Sequence, residues 1–317
     1  LETGGTSIRR TRIGNPLASY FPPAWAPSEQ RVAFAEASDE SLLVRSVDPF
    51  DPITIQNLGT IPFDLSACEE DDVVSIPMER YQQETGPDGN VFSFVWLLDN
   101  RLLYTTSCDG IGLAIWNPAD GSVQDLGDDL RRAALTPDRT RLAAIGNDNE
   151  AYVVDLSGGG RNLLPLDVES EQLAWSSDGR FVYIANSRAA DSGFSIDAPS
   201  LEERALDVFG SFPYESLLNT LSIIEFDLNR GTTRTVWQGQ GFAIGRIVTA
   251  PNNAGLLFTL IPSDRQLATA FIQRVDPLEL RVQRPETELY WLSPVNEQSR
   301  QLAVTAYPAF AYAVPAE

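Results

Sequence analysis

The sequence predicts an all-β protein built from repeated four-stranded units, and three observations support this fold class. A short phrase recurs five times, in which an apolar or aromatic residue is followed by a tight turn and then by alternating apolar residues. A second pair of strand-like segments follows every copy. The copies are also regularly spaced. The phrase occupies residues 24–34, 95–104, 134–142, 174–183 and 248–258, and the second pairs occupy 42–58, 113–126, 151–164, 221–237 and 289–304.

Each copy of the phrase predicts a β-hairpin. Pro, Asp, Asn and Gly stand where the chain would reverse, and β-branched or aromatic residues alternate beyond that point. The fourth copy shows the pattern most clearly, with Trp175 before the turn and Phe181, Val182 and Tyr183 after it. We therefore expect two antiparallel strands and a tight turn at each copy.

The segment after each copy predicts a second hairpin. In three of the five segments a polar hinge divides the apolar residues into two runs, at 117–121, 155–160 and 227–231. Two hairpins per repeat make a four-stranded unit. The longest helix candidate, 200–209, is short, so the fold should be almost entirely β.

The spacing of the repeats identifies the architecture. Trp96, Leu135 and Trp175 hold equivalent places in three copies, and they are separated by 135 − 96 = 39 and 175 − 135 = 40 positions. A four-stranded propeller blade takes about 40 to 45 residues. The sequence thus predicts a single β-propeller domain over 1–317 with five recognisable four-stranded blades.

The fourth copy, Trp175-Ser176-Ser177-Asp178-Gly179-Arg180, resembles the WSPDG-type strand-turn-strand repeat of TolB-like and WD40-like β-propellers. The other copies depart from this pattern: the first keeps the Pro, and the last has Asn252-Asn253 in its turn. The resemblance implies that the tryptophans and turn residues pack blade against blade. It also implies, by analogy with TolB, a domain that docks to envelope partners.

The two chain ends can supply a sixth blade. Residues 7–13 alternate apolar and cationic side chains, and 306–314 alternate small and aromatic ones. Pairing between these segments would close the ring and remove exposed strand edges. The alternative is that a terminal strand is donated to a neighbouring subunit.

Three insertions interrupt the repeat, at 61–91, 188–219 and 262–286. Insertions in repeat architectures project from one face and often bind partners. The second is too apolar for a simple solvated loop, so it either folds over the propeller or presents anchors to a partner. The predicted partner-binding residues are aromatic: Tyr81, Phe194, Phe209, Phe212 and Tyr214.

Cys68 and Cys108 are the only cysteines in the chain, and we expect them to form a disulfide; the alternative is two buried thiols. Such a bond would fix the first insertion to the rim of the second blade. It would also imply an oxidising compartment. The chain begins at Leu1 without a Met, which favours removal of a signal or anchor, so we predict an extracytoplasmic location.

Composition excludes several functions. All 23 cationic side chains are Arg, 44 side chains are acidic, and neither Lys nor His occurs. Nucleophilic pairs with His, Schiff-base lysines and His-ligated metal sites therefore cannot form. A net charge of −21 opposes binding to nucleic acid, and no apolar run of about 18 residues is present to cross a membrane.

The acidic run Glu69-Glu70-Asp71-Asp72 raises the question of calcium. Calcium loops space their ligands at alternate positions and use a Gly to turn, whereas these four acids are adjacent. The sequence thus assigns no metal site, no cofactor and no catalytic residue.

Together these observations predict a non-catalytic, secreted or envelope-attached propeller that serves in protein interaction or structural assembly. We expect a protein partner or self-assembly, no nucleic acid and no membrane insertion. The alternative is a propeller enzyme acting on glycans or another small ligand, with Asp and Glu at the channel mouth and with calcium as a cofactor.

Overall fold

The structure, a computed structural model, describes residues 24–26, 31–38, 41–48, 51–63, 94–106, 112–158, 160–189, 219–241, 243–261 and 287–305. These residues form twenty strands arranged in five four-stranded sheets, and a single 3-10 turn at Pro251–Asn253. No helix in these ranges is long and apolar enough to cross a membrane.

The chain divides into two compact units, and the first contains two sheets. Its first sheet consists of β1 (Ala24–Trp25), β2 (Val32–Ser38), β3 (Ser41–Asp48) and β4 (Asp51–Pro62). Its second sheet consists of β5 (Phe94–Trp96), β6 (Leu102–Thr105), β7 (Leu113–Trp116) and β8 (Val123–Gly127).

The second unit contains the remaining three sheets. The third sheet consists of β9 (Leu130–Leu135), β10 (Arg141–Gly146), β11 (Ala151–Asp155) and β12 (Arg161–Leu163). The fourth consists of β13 (Gln172–Trp175), β14 (Phe181–Ala189), β15 (Asn219–Asp227) and β16 (Thr232–Gly241). The fifth consists of β17 (Ala243–Thr249), β18 (Leu256–Ile261), β19 (Thr287–Ser293) and β20 (Gln298–Thr305).

In every sheet the four strands pair antiparallel in chain order, which is the topology of a propeller blade. Each predicted phrase forms the first hairpin of its sheet, and each following segment forms the second. The predicted all-β propeller class with five four-stranded blades is thereby confirmed. Residues 7–13, 200–209 and 306–314 lie outside the described residues, so the sixth blade stays a prediction, as does the single domain over 1–317.

Many of the tight turns are held by one recurring interaction. An Asp side chain accepts a hydrogen bond from the backbone N–H two residues later, at 3.1 Å from Asp138 to Thr140 and at 2.8 Å from Asp155 to Ser157. This local bond lets the backbone turn without a strand partner. Hydrogen bonds, from Thr136 above all, lower the pKa of Asp138, and those from Ser157 lower the pKa of Asp155. Some of the many Asp residues of this chain therefore stabilise its tight turns.

Two apolar clusters hold the second unit together. One joins the third and fourth sheets and includes Ile145, Val153, Trp175 and Ile184. The other joins the fourth and fifth sheets, and within it the ring of Phe258 stacks on Tyr290 with centroids 5.3 Å apart. The three sheets of this unit are thus successive neighbours, and their relative positions are set by buried side chains.

Candidate functional site

The two ends of each sheet differ in how the chain connects there. At one end, which we call the turn end, the first strand passes to the second and the third to the fourth. At the other end, the insertion end, the first strand begins, the second passes to the third, and the fourth leaves for the next sheet. Residues 64–93 follow β4, 190–218 lie between β14 and β15, and 262–286 lie between β18 and β19. All three predicted insertions therefore attach at the insertion ends of their own sheets.

The residues predicted as sites lie outside the described residues. These are the aromatic residues Tyr81, Phe194, Phe209, Phe212 and Tyr214, the acidic run 69–72, and the two cysteines, Cys68 and Cys108. Partner binding by these aromatic residues and the disulfide stay predictions. Within the described ranges, no group of three or more Cys, Asp or Glu residues is arranged to hold a metal ion.

The turn end of the fourth sheet is built around a fully buried serine. The Ser176 hydroxyl donates to Asp178 Oδ1 at 2.6 Å and accepts a hydrogen bond from the backbone N–H of Phe181 at 2.8 Å. Asp178 in turn accepts from the backbone N–H of Arg180 at 3.1 Å. The turn thus fills the hydrogen-bonding capacity of its own buried hydroxyl.

Contacts at the turn end also join neighbouring sheets. Asn253 Oδ1, in the fifth sheet, accepts from the backbone N–H and the hydroxyl of Ser177 at 2.6 and 2.8 Å. Toward the third sheet, the indole N–H of Trp175 donates to the carbonyl of Ala134 at 2.8 Å. The guanidinium of Arg141 lies 5.1 Å from the centroid of the Trp175 ring. The turn ends of the three sheets are therefore linked by direct polar contacts.

An ion pair between an exposed arginine and a buried carboxylate adds to the link between the fourth and fifth sheets. Arg234 donates to both carboxylate oxygens of Glu225, at 2.7 and 3.1 Å. The same guanidinium donates to the backbone carbonyl of Pro294, in the turn between β19 and β20, at 2.9 Å. The pKa of the nearby Tyr183 is raised, mainly by burial and in addition by the negative charge of Glu225.

The insertion end of the third and fourth sheets carries a different arrangement, which begins with a β-bulge. Ala143 pairs with Ala134 and Ile145 pairs with Arg131, so that two residues of β9 face one residue of β10. Arg132 is one of the two bulged residues, and its φ of 50° lies in the left-handed region. This conformation costs an arginine roughly 1–2 kcal/mol. The bulge re-aims the Arg132 side chain, which donates to the backbone carbonyl of Glu171.

Asn149, in the turn between β10 and β11, is the centre of this arrangement. Its side-chain oxygen accepts a hydrogen bond from Arg131, and its backbone carbonyl accepts one from the N–H of Ser170 at 2.7 Å. Its side-chain N–H group lies 3.5 Å from Glu169 Oε2. We call these residues the insertion-end cluster: Arg131, Arg132, Asn149, Glu169, Ser170, Glu171 and Ser187.

The ionisation of Glu171 is affected by its surroundings in the cluster. Burial raises its pKa, and the charge of Glu169 acts in the same direction. The hydrogen bond from the Ser187 hydroxyl and the charge of Arg132 oppose this shift without cancelling it. The cluster therefore holds a carboxyl group whose ionisation is disfavoured by its surroundings.

Two buried donors in the cluster have no hydrogen-bond acceptor among the described residues. They are the Ser170 hydroxyl and the Nε–H of Arg131. Ser170 is only 1% exposed, so bulk water does not satisfy it from outside. Most buried polar groups in folded proteins are paired, and unpaired ones require a specific explanation.

The sequence interpretation did not single out this cluster. Its members come from the bulge in β9, the turn between β10 and β11, the segment before β13, and strand β14. No spacing rule brings Arg131 to Asn149. The one available signal was the adjacent pair Arg131-Arg132 opening an otherwise apolar strand in a strongly acidic chain. Both cations lie where the third sheet begins.

The chain is similar to several solved structures. It shares 13% identity with TolB from Acinetobacter baumannii, at a TM-score of 0.46, with 90% of this chain and 55% of that chain covered. An oligogalacturonate lyase from Vibrio parahaemolyticus shares 11% identity at a TM-score of 0.37, with 68% and 65% covered. Dipeptidyl peptidase 4 from Porphyromonas gingivalis shares 10% identity at a TM-score of 0.46, with 88% and 39% covered.

These similarities concern the fold alone. The resemblance to TolB-like propellers is likewise a resemblance of structure only. The chain spans 55%, 65% and 39% of the three matched chains, which is less than two thirds of each. No protein family matches the sequence. No curated protein matches it either.

Proposed function

We propose that this chain is a non-catalytic interaction module of a secreted or envelope-attached protein, and that it binds a protein partner through the insertion ends of its sheets. The observation that carries the proposal is that all three insertions attach at these ends. Function in propellers and other repeat folds is usually carried by such added segments, because they leave the paired strands unchanged.

The contacts at the two ends support this assignment. At the turn end, Ser177, Asn253 and Trp175 are engaged with neighbouring sheets, so these groups serve the fold. At the insertion end, neighbouring sheets of the second unit carry the insertions 188–219 and 262–286. The first of these contains Phe194, Phe209 and Phe212, and aromatic side chains of this kind dominate the energetics of protein interfaces.

The negative net charge of the chain indicates what kind of partner surface it would bind. The net charge of −21 favours association with a surface of positive potential, because opposite potentials speed encounter and select among partners. The insertion 61–91 is itself rich in Asp and Glu and contains one cation, Arg80. We therefore expect a partner with a basic patch, and we expect binding to weaken as salt is added. The extracytoplasmic location rests on the expected bond between Cys68 and Cys108.

The test is cross-linking with carboxylate-reactive reagents and mass spectrometry, because a chain without Lys reacts poorly with amine reagents. Material from the native source should give intermolecular links from the insertions 61–91 and 188–219. A variant with 191–217 replaced by a Gly-Ser linker should lose the links of that region. A matched variant with 294–297 replaced, at the turn end, should keep them. Exclusively intramolecular links, or partner links confined to the turn end, would overturn the proposal.

A second candidate function is favoured by Glu171 alone. A carboxyl group with a raised pKa beside another carboxylate is the arrangement that acid-base hydrolysis or elimination of glycans requires. In this case the chain would turn over an acidic or neutral oligosaccharide, and Glu171→Gln would abolish turnover. Glu169→Gln should lower turnover as well, because the chemistry uses both carboxyl groups. Turnover that survives Glu171→Gln would exclude this candidate.

A further inference from the structure

The two unsatisfied donors of the insertion-end cluster lie against one residue. Arg131 donates through Nη2 to the side-chain oxygen of Asn149, and Ser170 donates through its backbone N–H to the carbonyl of Asn149. The Arg131 Nε–H and the Ser170 hydroxyl are both buried, and neither has an acceptor among the residues that the structure describes. The fold thus joins two residues that carry unused donors to the same asparagine.

The chemistry of these groups specifies what is missing. A guanidinium group can only donate hydrogen bonds, and a hydroxyl that reaches no acceptor has a proton to give. Hence the absent partner must present acceptor oxygens. An Arg Nε–H with a neighbouring hydroxyl is well suited to a carboxylate, which accepts charge-assisted hydrogen bonds at both of its oxygens.

We propose that Arg131 and Ser170 form a subsite for a carboxylate group. The inference rests on the proposed interaction function, so the carboxylate is that of a partner polypeptide, either a C-terminus or an acidic side chain. A free small carboxylate has the same chemistry, and the experiment below separates the two sources. The acidic partner group would bind locally at this pair of arginines, within a chain that is otherwise negative.

The surrounding charges are compatible with an anion here. Arg131 and Arg132 supply two cations, and each donates a hydrogen bond to a neutral oxygen, that of the Asn149 side chain for Arg131 and that of the Glu171 backbone for Arg132. The Glu171 side chain accepts a hydrogen bond from the hydroxyl of Ser187, and its charge interacts with those of Arg131 and Arg132. Burial raises the pKa of Glu171, which opposes its ionisation beside the subsite.

The test observes the Arg131 Nε–H directly, by NMR of the full chain labelled with ¹⁵N-arginine. The resonance is identified by its loss in Arg131→Lys. Titration with acetate should move it to saturation, whereas acetamide at the same concentration should not. Arg161, which lies over the ring of Tyr152, provides a control arginine, and sodium chloride provides the control for ionic strength. Ser170→Ala should weaken acetate binding roughly tenfold without lowering the melting temperature.

A second arm separates the two sources of the carboxylate. Acetyl-Ala-Ala with a free C-terminus should saturate the shift at a concentration at least roughly tenfold below that of acetate, and its amidated form should not shift the resonance. Equal affinities for acetate and the peptide would overturn the polypeptide source and support a small carboxylate. Equal shifts with acetate and acetamide, or no effect of Ser170→Ala, would overturn the subsite itself. Cross-links from 61–91 or 188–219 would persist in that event, so failure here is distinguishable from failure of the interaction function.

Discussion

The turn end and the insertion end of the second unit handle buried polar groups in opposite ways. At the turn end, the buried hydroxyl of Ser176 both donates and accepts, and Ser177 and Asn253 join two sheets. At the insertion end, the equally buried hydroxyl of Ser170 has no acceptor within the described part of the chain. Unused hydrogen-bonding capacity costs stability. The proposed carboxylate subsite accounts for this difference, because a bound carboxylate would use the free donor of Ser170.

The largest expected effect is at the turn end, on Trp175. Its side chain is 3% exposed, contacts the cluster between the third and fourth sheets, and donates to Ala134. Trp175→Ala should lower the free energy of unfolding by about 3–5 kcal/mol, because a large cavity opens between two sheets. Denaturant titration followed by circular dichroism measures this loss.

Trp25 provides the control for this substitution. It also lies beside the first turn of its sheet, but its side chain is 60% exposed. Trp25→Ala should change stability by less than about 0.5 kcal/mol. Similar losses for the two variants would mean that burial between sheets does not set the contribution of Trp175.

The sharpest comparison uses two buried serines. Ser176 is 0% exposed with its hydrogen bonds made, and Ser170 is 1% exposed with its hydroxyl unpaired. Ser176→Ala should cost about 2 kcal/mol, since two local hydrogen bonds disappear and the Phe181 N–H loses its acceptor. Ser170→Ala should be neutral or stabilising by up to about 1 kcal/mol, because no hydrogen bond of the hydroxyl is lost. Thermal and chemical unfolding measure both, and a comparable loss in the two variants would contradict the contrast drawn between the two ends.

A smaller effect is expected where two sheets join through Asn253. Its φ of 55° suits glycine, so Asn253→Gly removes the side-chain contacts to Ser177 without straining the backbone. The expected loss is about 1 kcal/mol. Asn252, with φ 58°, is the matched control, because it shares the backbone conformation and is exposed. Unfolding of the two variants under identical conditions should separate them, and equal losses would show that the contact to Ser177 contributes nothing.

The smallest effects, which depend on pH, should have opposite signs at the two ends. The pKa of Asp138 is lowered in the folded state, first by its hydrogen bond from Thr136, so its contribution is present above about pH 4 and is lost as pH falls further. The pKa of Glu171 is raised by burial, so its ionisation destabilises the fold as pH rises above about 4.

The measurement is the free energy of unfolding of Asp138→Asn and Glu171→Gln relative to wild type between about pH 3 and 7. As pH rises, the free energy of unfolding of wild type should increase relative to that of Asp138→Asn. Over the same interval, the free energy of unfolding of Glu171→Gln should increase relative to that of wild type. Parallel pH profiles for the two variants would show that burial does not govern the ionisation of Glu171.

The sequence predicted the strands well because their determinants are local. The turn at Ser176–Arg180 and the hinge at Asp227–Gly231 are each specified by residues within a few positions of one another. The hairpin at Trp175 and its counterpart at Trp96 could therefore be located, and so could their spacing. The same local rule predicted where the insertions interrupt the repeat.

The candidate site could not be predicted because its determinants are distant or depend on register. Ser177 and Asn253 are 76 positions apart, and Arg132 reaches Glu171 across 39. The bulge that places Arg132 depends on how β9 and β10 pair, which periodicity does not specify. The aromatic residues that the sequence did nominate, such as Phe209, lie outside the described residues.

The arrangement of connections also bears on how such a chain changes in length. Asp side chains close several of the short turns at the turn end, and such turns set the register of their hairpins. Lengthening a connection at the insertion end therefore leaves the pairing of these hairpins as it was. The entropic cost of a longer loop grows only logarithmically, by about 0.6 kcal/mol for each doubling. A protein engineer could thus replace the segments after β14 or β18 with foreign binding loops and expect the sheets to form as before.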